Sequence, residues 1–216
     1  MKIKTFYIFL LLFAIYQKAS SQNNSQKKVD EYALESKDSL VGKSFIEFES
    51  ITFDKQKFKL SDYKNKIVLL NFWFIGCPPC MGEIPDINKL FRTFKDSNVV
   101  IVSLCRDPQN TIEQFKKGNY LKPPEPIEYP IIPDCSQISN LYHVVGYPTT
   151  VIIDKKGLIR VVYSGATITS LKKFVAFYGA NGLPDKTKEL IEKYKDAPNE
   201  EMSDILKTFI NELLQE

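Results

Sequence analysis

Cys77 and Cys80 stand three residues apart in NFWFIGCPPCMGEIP, with only prolines between them and a glutamate, Glu83, three residues further on. Two thiols at this spacing can close a short, reversible disulfide. Thiol–disulfide exchange needs just such a pair: one thiolate attacks a foreign disulfide, and a second thiol resolves the mixed disulfide that results. Half of a structural zinc site is the first alternative. The chain has no second C-x-x-C, however, and its one histidine, His143, lies more than sixty residues away in sequence, which leaves a tetrahedral ligand set incomplete. An inert structural disulfide is the second alternative, but closing so small a loop removes little unfolded-state entropy and stabilises little. Redox exchange is the chemistry these residues favour, and it calls for no bound cofactor and no metal.

The elements on either side must position the two sulfurs. Apart from Asn71, Ile67 to Phe72 is a run of β-branched, aliphatic and aromatic residues, short enough for a strand buried on both faces. From Met81 to Lys95, Ile84, Ile87, Leu90, Phe91 and Phe94 recur at helical spacing, which predicts a helix with one buried face. Cys77 then falls at the strand-to-helix turn and Cys80, more buried, in the first helical turn. Unpaired backbone N–H groups and the positive end of the helix dipole favour an anion there, and a thiolate is such an anion. Pro78 and Pro79 suit a first turn, where the missing N–H has no intrahelical partner. Each also deletes a donor for the thiolate, which points to a more reducing couple.

The alternation of strand and helix continues. Val99–Leu104 reads as a second buried strand, Thr111–Lys117 as a helix, Glu128–Ile132 as a short strand and Ser136–Val144 as a helix. Thr149–Ile153 is a further strand, the DKKG turn at Asp154–Gly157 leads into a hairpin strand over Leu158–Tyr163, and Ser170–Tyr178 reads as one more helix. Phe45–Phe48 and Phe58–Leu60 suit a hairpin at the start of the domain. The fold class is α/β, a central, mostly parallel sheet flanked by helices with antiparallel strands at one side. Cys105 and Cys135 each follow a proposed strand and so reach the sheet edge that carries Cys77; they are either a second disulfide or small buried residues. Beyond Gly182 the chain is rich in lysine and glutamate, with apolar residues at helical spacing broken at Ala197-Pro198. Two amphipathic helices over residues 183–216 follow, which cover part of the domain or bind a partner.

Composition and the amino terminus set the context. With 216 residues and 44% hydrophobic content, the chain can bury one substantial core. A net charge of +3 with scattered charges gives no sign of a nucleic-acid surface. Lys2 and Lys4 precede an unbroken apolar run of eleven residues, Phe6–Tyr16, and the small residues Ala19-Ser20-Ser21. That is the pattern of a secretory signal over residues 1–21, since a spanning helix needs roughly 20 apolar residues; an uncleaved membrane anchor is the alternative. A polar lead over 22–40 then precedes a domain over 41–180. Four cysteines in an exported chain of this length are too few for a disulfide scaffold.

VLLNFWFIGCPPCMGEIP, followed some sixty residues later by VVGYPTTVIIDKKG, resembles the TlpA/ResA-like thiol–disulfide oxidoreductases of the thioredoxin superfamily, relatives of the AhpC/TSA proteins. The resemblance covers roughly Val41–Tyr178. It implies a thioredoxin-like fold, Cys77 as nucleophile, Cys80 as resolving thiol and a cis Tyr147-Pro148 bond whose tyrosine backbone presents an edge to an extended substrate chain. Thioredoxins carry a proton-accepting aspartate where this chain has Asn71; the TlpA/ResA-like group has a glutamate at the position of Glu83, which would exchange protons with Cys80 from a partly buried, raised-pKa carboxyl. A favourable negative charge in the first helical turn is its plainer role. Trp73 matches an aromatic that shields the site, giving Trp73, Tyr147 and Pro148 as the substrate-binding set, and Pro85 matches a proline that kinks the helix. Phe74-Ile75-Gly76 departs from the family's alanine-threonine-tryptophan and makes the rim more apolar. The partners implied are disulfide-containing envelope proteins and a membrane electron donor, with the enzyme itself a monomer. Two rivals are a non-catalytic partner-binding module and a peroxiredoxin-like peroxidase. The latter requires threonine or serine three residues before its cysteine, where this chain has Phe74.

Overall fold

The computed structural model describes residues 40–119, 121–165, 172, 192 and 202–216, all within one compact unit, Leu40–Glu216. The expected signal and the polar lead up to Ser39 lie outside the described residues. Of the expected helix Ser170–Tyr178 and the first carboxy-terminal helix, only Lys172 and Glu192 are described, both helical.

The first elements are the hairpin strands β1 (Glu49–Ile51) and β2 (Lys57–Lys59), paired antiparallel with Ser50 opposite Phe58. The expected hairpin is present but displaced, because the aromatic residues that signal it mark burial and not pairing. Phe48 and Phe58 stack at 5.6 Å, and both enter the core.

The central sheet has five strands in the order β5-β4-β3-β6-β7: β3 is Ile67–Trp73, β4 Val99–Cys105, β5 Ile131–Ile132, β6 Thr149–Ile153 and β7 Ile159–Ser164. The strands β3, β4 and β5 are parallel, β6 runs against β3, and β7 runs against β6. Four of the five strands therefore point one way. The expected strand over Glu128–Ile132 shortens to two residues because Pro130 has no N–H to offer the ladder, although its carbonyl still accepts from Ser103 N at 2.9 Å.

Between the strands lie α1 (Pro78–Phe94), α2 (Gln109–Lys116) and α3 (Ser136–Leu141), and the chain closes with α4 (Met202–Gln215). The third helix stops short of Val144 because His143 takes a left-handed conformation, φ 51°, which a helix cannot continue.

Strand alternation divides the core. Ile67, Leu69 and Trp73 of β3 face a cluster with Ile84, Ile87 and Leu90 of α1, whereas Val68, Leu70 and Phe72 face a second cluster with Ile138 and Tyr142. The first cluster also takes in Met202, Leu206, Ile210 and Leu213 of α4. Surface pairs hold this helix at both ends: Lys89 Nζ reaches Asp204 at 3.0 Å, Lys155 Nζ reaches Leu214 O at 3.0 Å, and Arg160 engages both carboxylate oxygens of Glu216 at 2.7 and 3.0 Å. Of the two readings of the carboxy-terminal segment, α4 thus takes the covering one: its apolar stripe is core.

Candidate active site

Buried β3 ends at Trp73, and the chain must turn at once to start α1 on the same face. Gly76 makes that turn at φ 85°, a conformation that an L side chain strains to adopt. Cys77 is the N-cap of α1, and Pro78 and Pro79 fill the first helical positions. Cys77 and Cys80 are joined as a disulfide with their Cα atoms 5.3 Å apart. Cys77 Sγ accepts from Cys80 N at 3.4 Å, so a backbone N–H of the first turn points at the sulfur expected to become the thiolate.

Cys80 was expected to be the more buried of the two; in the disulfide form the two are buried alike, Cys77 at 3% and Cys80 at 4% exposed, and both join the cluster beneath α1.

The loop before Cys77 is tied down by residues that the sequence did not single out. Asp107 Oδ2 accepts from Ile75 N at 2.6 Å, and Arg106 N donates to Trp73 O at 3.0 Å. Both follow the last residue of β4, whose register sets Cys105 beside Trp73. In a parallel sheet, residues leaving the carboxyl ends of adjacent strands meet around one crevice, and that rule applied to β4 would have pointed to them.

The Tyr147–Pro148 peptide bond is cis, as the resemblance implied. Pro148 is buried and Tyr147 partly exposed. The Tyr147 ring meets Phe74 edge to face at 5.4 Å, and its hydroxyl donates to Ser139 Oγ at 3.3 Å. This contact brings the cis-proline loop against the loop that carries Cys77. Trp73, grouped with Tyr147 as substrate-binding, is buried at 2% and packs on Phe115 at 5.9 Å between centroids. Strand alternation places it under α1, where it floors the site; the aromatic surface at the rim is Phe74 and Tyr147.

Glu83 sits one turn past Cys80 on α1 and is 2% exposed, more deeply buried than expected. Nearby Tyr129 is held well above the ordinary phenol value, first by burial and then by the charges of Glu83 and Cys105. Asn71, at the aspartate position of thioredoxins, donates from Nδ2 to Thr150 Oγ1 at 3.4 Å.

Cys105 and Cys135 are free thiols, both buried. Their backbones adjoin, Cys135 N to Cys105 O at 3.0 Å, but Cys105 belongs to the cluster on the α1 face and Cys135 to the cluster on the other. Of the two readings left open, they are the small buried residues. Burial pushes the Cys105 thiol far up and the Cys135 thiol up to about 11, the latter opposed by its hydrogen bond with Ser139. Neither is a ready nucleophile at neutral pH.

A Cys-Pro-Pro-Cys disulfide capping a helix, set beside a cis-proline loop at the end of a sheet of this topology, defines a thioredoxin-fold thiol–disulfide oxidoreductase. The chain belongs to the AhpC/TSA family, whose model matches residues 41–162. Among its relatives is the thiol-disulfide oxidoreductase ResA of Geobacillus kaustophilus, 33% identical over 127 residues that cover 58% of this chain and 70% of that one. The thioredoxin-like protein YneN of Bacillus subtilis is 32% identical over 124 residues, 57% of this chain and 71% of that one. A solved structure of a thiol:disulfide interchange protein of the thioredoxin family from Chlorobium tepidum matches with a TM-score of 0.51 at 19% identity, over 70% of this chain and 95% of that one; at this identity the likeness is one of fold.

Proposed function

We propose that this protein is an exported reductase of disulfides in cell-envelope proteins, with Cys77 as nucleophile, Cys80 as resolving thiol and Glu83 as proton exchanger. The observation that carries the reading is the Cys77–Cys80 disulfide at the N-terminus of α1 beside the cis Tyr147–Pro148 loop. In the reduced protein the Cys77 thiolate attacks one sulfur of a substrate disulfide; the Cys77–substrate bond forms as the substrate S–S bond breaks, and the leaving sulfur takes a proton. Cys80 passes its proton to Glu83 and attacks Cys77 Sγ, which closes the Cys77–Cys80 bond and expels the second substrate sulfur as a thiol. Two electrons leave the protein in each cycle. In an oxidising compartment they are returned by a membrane electron donor, and the protein works as a monomer with no bound cofactor.

Export rests on the charged start and apolar run, Lys2 to Tyr16, before Ala19-Ser20-Ser21, as a cleaved signal or an uncleaved anchor. Among the described residues no helix is long and apolar enough to cross a membrane. The domain division that goes with this reading is a signal over 1–21, a polar lead over 22–40, a thioredoxin-like domain over 41–180 and a helical extension over 183–216.

The test is reduction of insulin by the purified protein in the presence of a dithiol donor, together with the reduction potential of the Cys77/Cys80 pair. The reading expects turnover that Cys77→Ala abolishes and a potential near or below about −270 mV, the thioredoxin value. No turnover, or a potential near about −120 mV as in a strong oxidant, overturns it.

A further inference from the structure

Arg106 has no place in the exchange chemistry, yet it stands over the site. Its guanidinium carbon lies 4.3 Å from the centroid of the Phe74 ring and 5.7 Å from that of Tyr147. Phe74 is three residues before Cys77, and Tyr147 is the residue on the amino side of the cis bond. The side chain is exposed and makes no ion pair or side-chain hydrogen bond among the described residues. The adjacent carboxylate is not paired with it: Asp107 Oδ2 accepts from Ile75 N at 2.6 Å and approaches Cys105 Sγ at 3.6 Å.

A guanidinium lying on an aromatic face is fixed in place while its in-plane N–H donors remain open. Those donors match the two oxygens of a carboxylate and repel an ammonium group. The rest of the rim, Phe74, Ile75 and Tyr147, is partly exposed and largely apolar, so among the described residues Arg106 sets a cation on an apolar frame between the loop that carries Cys77 and the cis-proline loop. We propose that Arg106 is a specificity-determining residue which favours protein disulfides whose attacked cysteine has an aspartate or glutamate next to it. The proposal rests on the thiol–disulfide reading above and names the substrate class of that same site.

The test uses reduced full-length protein and short alanine-based peptides. Each carries one cysteine held as a mixed disulfide with 2-mercaptoethanol, a neutral thiol, and Glu, Gln or Lys immediately before or after that cysteine. Acid-quenched samples are resolved by mass, and each rate constant is divided by that for dithiothreitol to remove the peptide's intrinsic reactivity. The expected order is Glu over Gln over Lys, by roughly threefold at each step, the size of an exposed ion pair, and it flattens with added salt. R106Q removes the order, R106K keeps part of it, and R106E reverses it. A cation that merely braced the two rings would give no reversal. If wild type reduces all the peptides alike, or R106E keeps the wild-type order, the specificity proposal falls and the exchange reading stands; if wild type with free thiols reduces none of them, both fall.

Discussion

Replacing Ile210 by alanine tests the covering role of the carboxy-terminal helix. Ile210 is 0% exposed and lies in the same cluster as Cys77, Cys80, Met81 and Ile84. Truncating a fully buried isoleucine removes its transfer free energy and leaves a cavity, a loss of about 2–5 kcal/mol. Against a total stability of roughly 5–15 kcal/mol, that is a large fraction, and for a chain of this size it lowers the melting temperature by about 4–20 °C. Lys207, exposed on the same helix, is the control; its alanine variant should stay within about 0.5 kcal/mol of wild type. Urea unfolding of the oxidised full-length proteins, followed by far-ultraviolet circular dichroism, gives both numbers. Below its unfolding transition Ile210→Ala should still reduce insulin, because α4 supplies no chemistry. A loss under 1 kcal/mol, or a protein of full stability that has lost activity, would refute the argument and favour a helix kept to hold a partner.

Other outcomes follow from single residues. Burial alone would raise the Asp154 carboxyl, but N–H groups of Leu158 and Lys156, each 2.9 Å from Oδ1, and the Arg160 guanidinium, 3.0 Å from Oδ2, outweigh it and hold the carboxyl below its usual value. A depressed folded value means stability that is complete above the unfolded value, about 3.9, and lost as pH falls through the folded one. Asp154→Asn should therefore cost roughly 1–3 kcal/mol at pH 7, and the gap from wild type should narrow below about pH 4 in parallel denaturation series. Thiol titration of the oxidised protein should find Cys105 and Cys135 unreactive when native and reactive after unfolding, because both are buried and unpaired with each other; a titre of zero after unfolding would mean that they had joined. Glu83→Gln keeps the volume of the side chain and removes its capacity to take a proton. Stopped-flow measurement of the resolving step should show a slowing on the order of 100-fold, and an unchanged rate would leave Glu83 only a place in the helix.

The fold was legible where burial and pairing coincide. Ile67–Phe72 and Val99–Leu104 are apolar on both faces, and only a central strand of a covered sheet asks for that. The hairpin was displaced because apolar residues there report contact with the core while hydrogen bonding is set by the partner strand, and the strand near Pro130 was shortened because its apolar pattern says nothing of the N–H that the proline lacks. The cysteine pair, Glu83 and the cis-proline loop were readable because local spacing or motif carries them. Arg106 and Asp107 were not: they are two ordinary charged residues after a strand, and their meaning comes from register, which sets Cys105 beside Trp73 and so brings them over the loop before Cys77.

The central claim is that Cys77 takes the substrate sulfur and Cys80 releases it. The most direct measurement is intact-mass analysis of reduced Cys80→Ala and Cys77→Ala proteins after incubation with insulin. The account predicts a persistent mixed disulfide through Cys77 in the Cys80→Ala protein and none in the Cys77→Ala protein. An adduct confined to the Cys77→Ala protein, or absent from both, would contradict it.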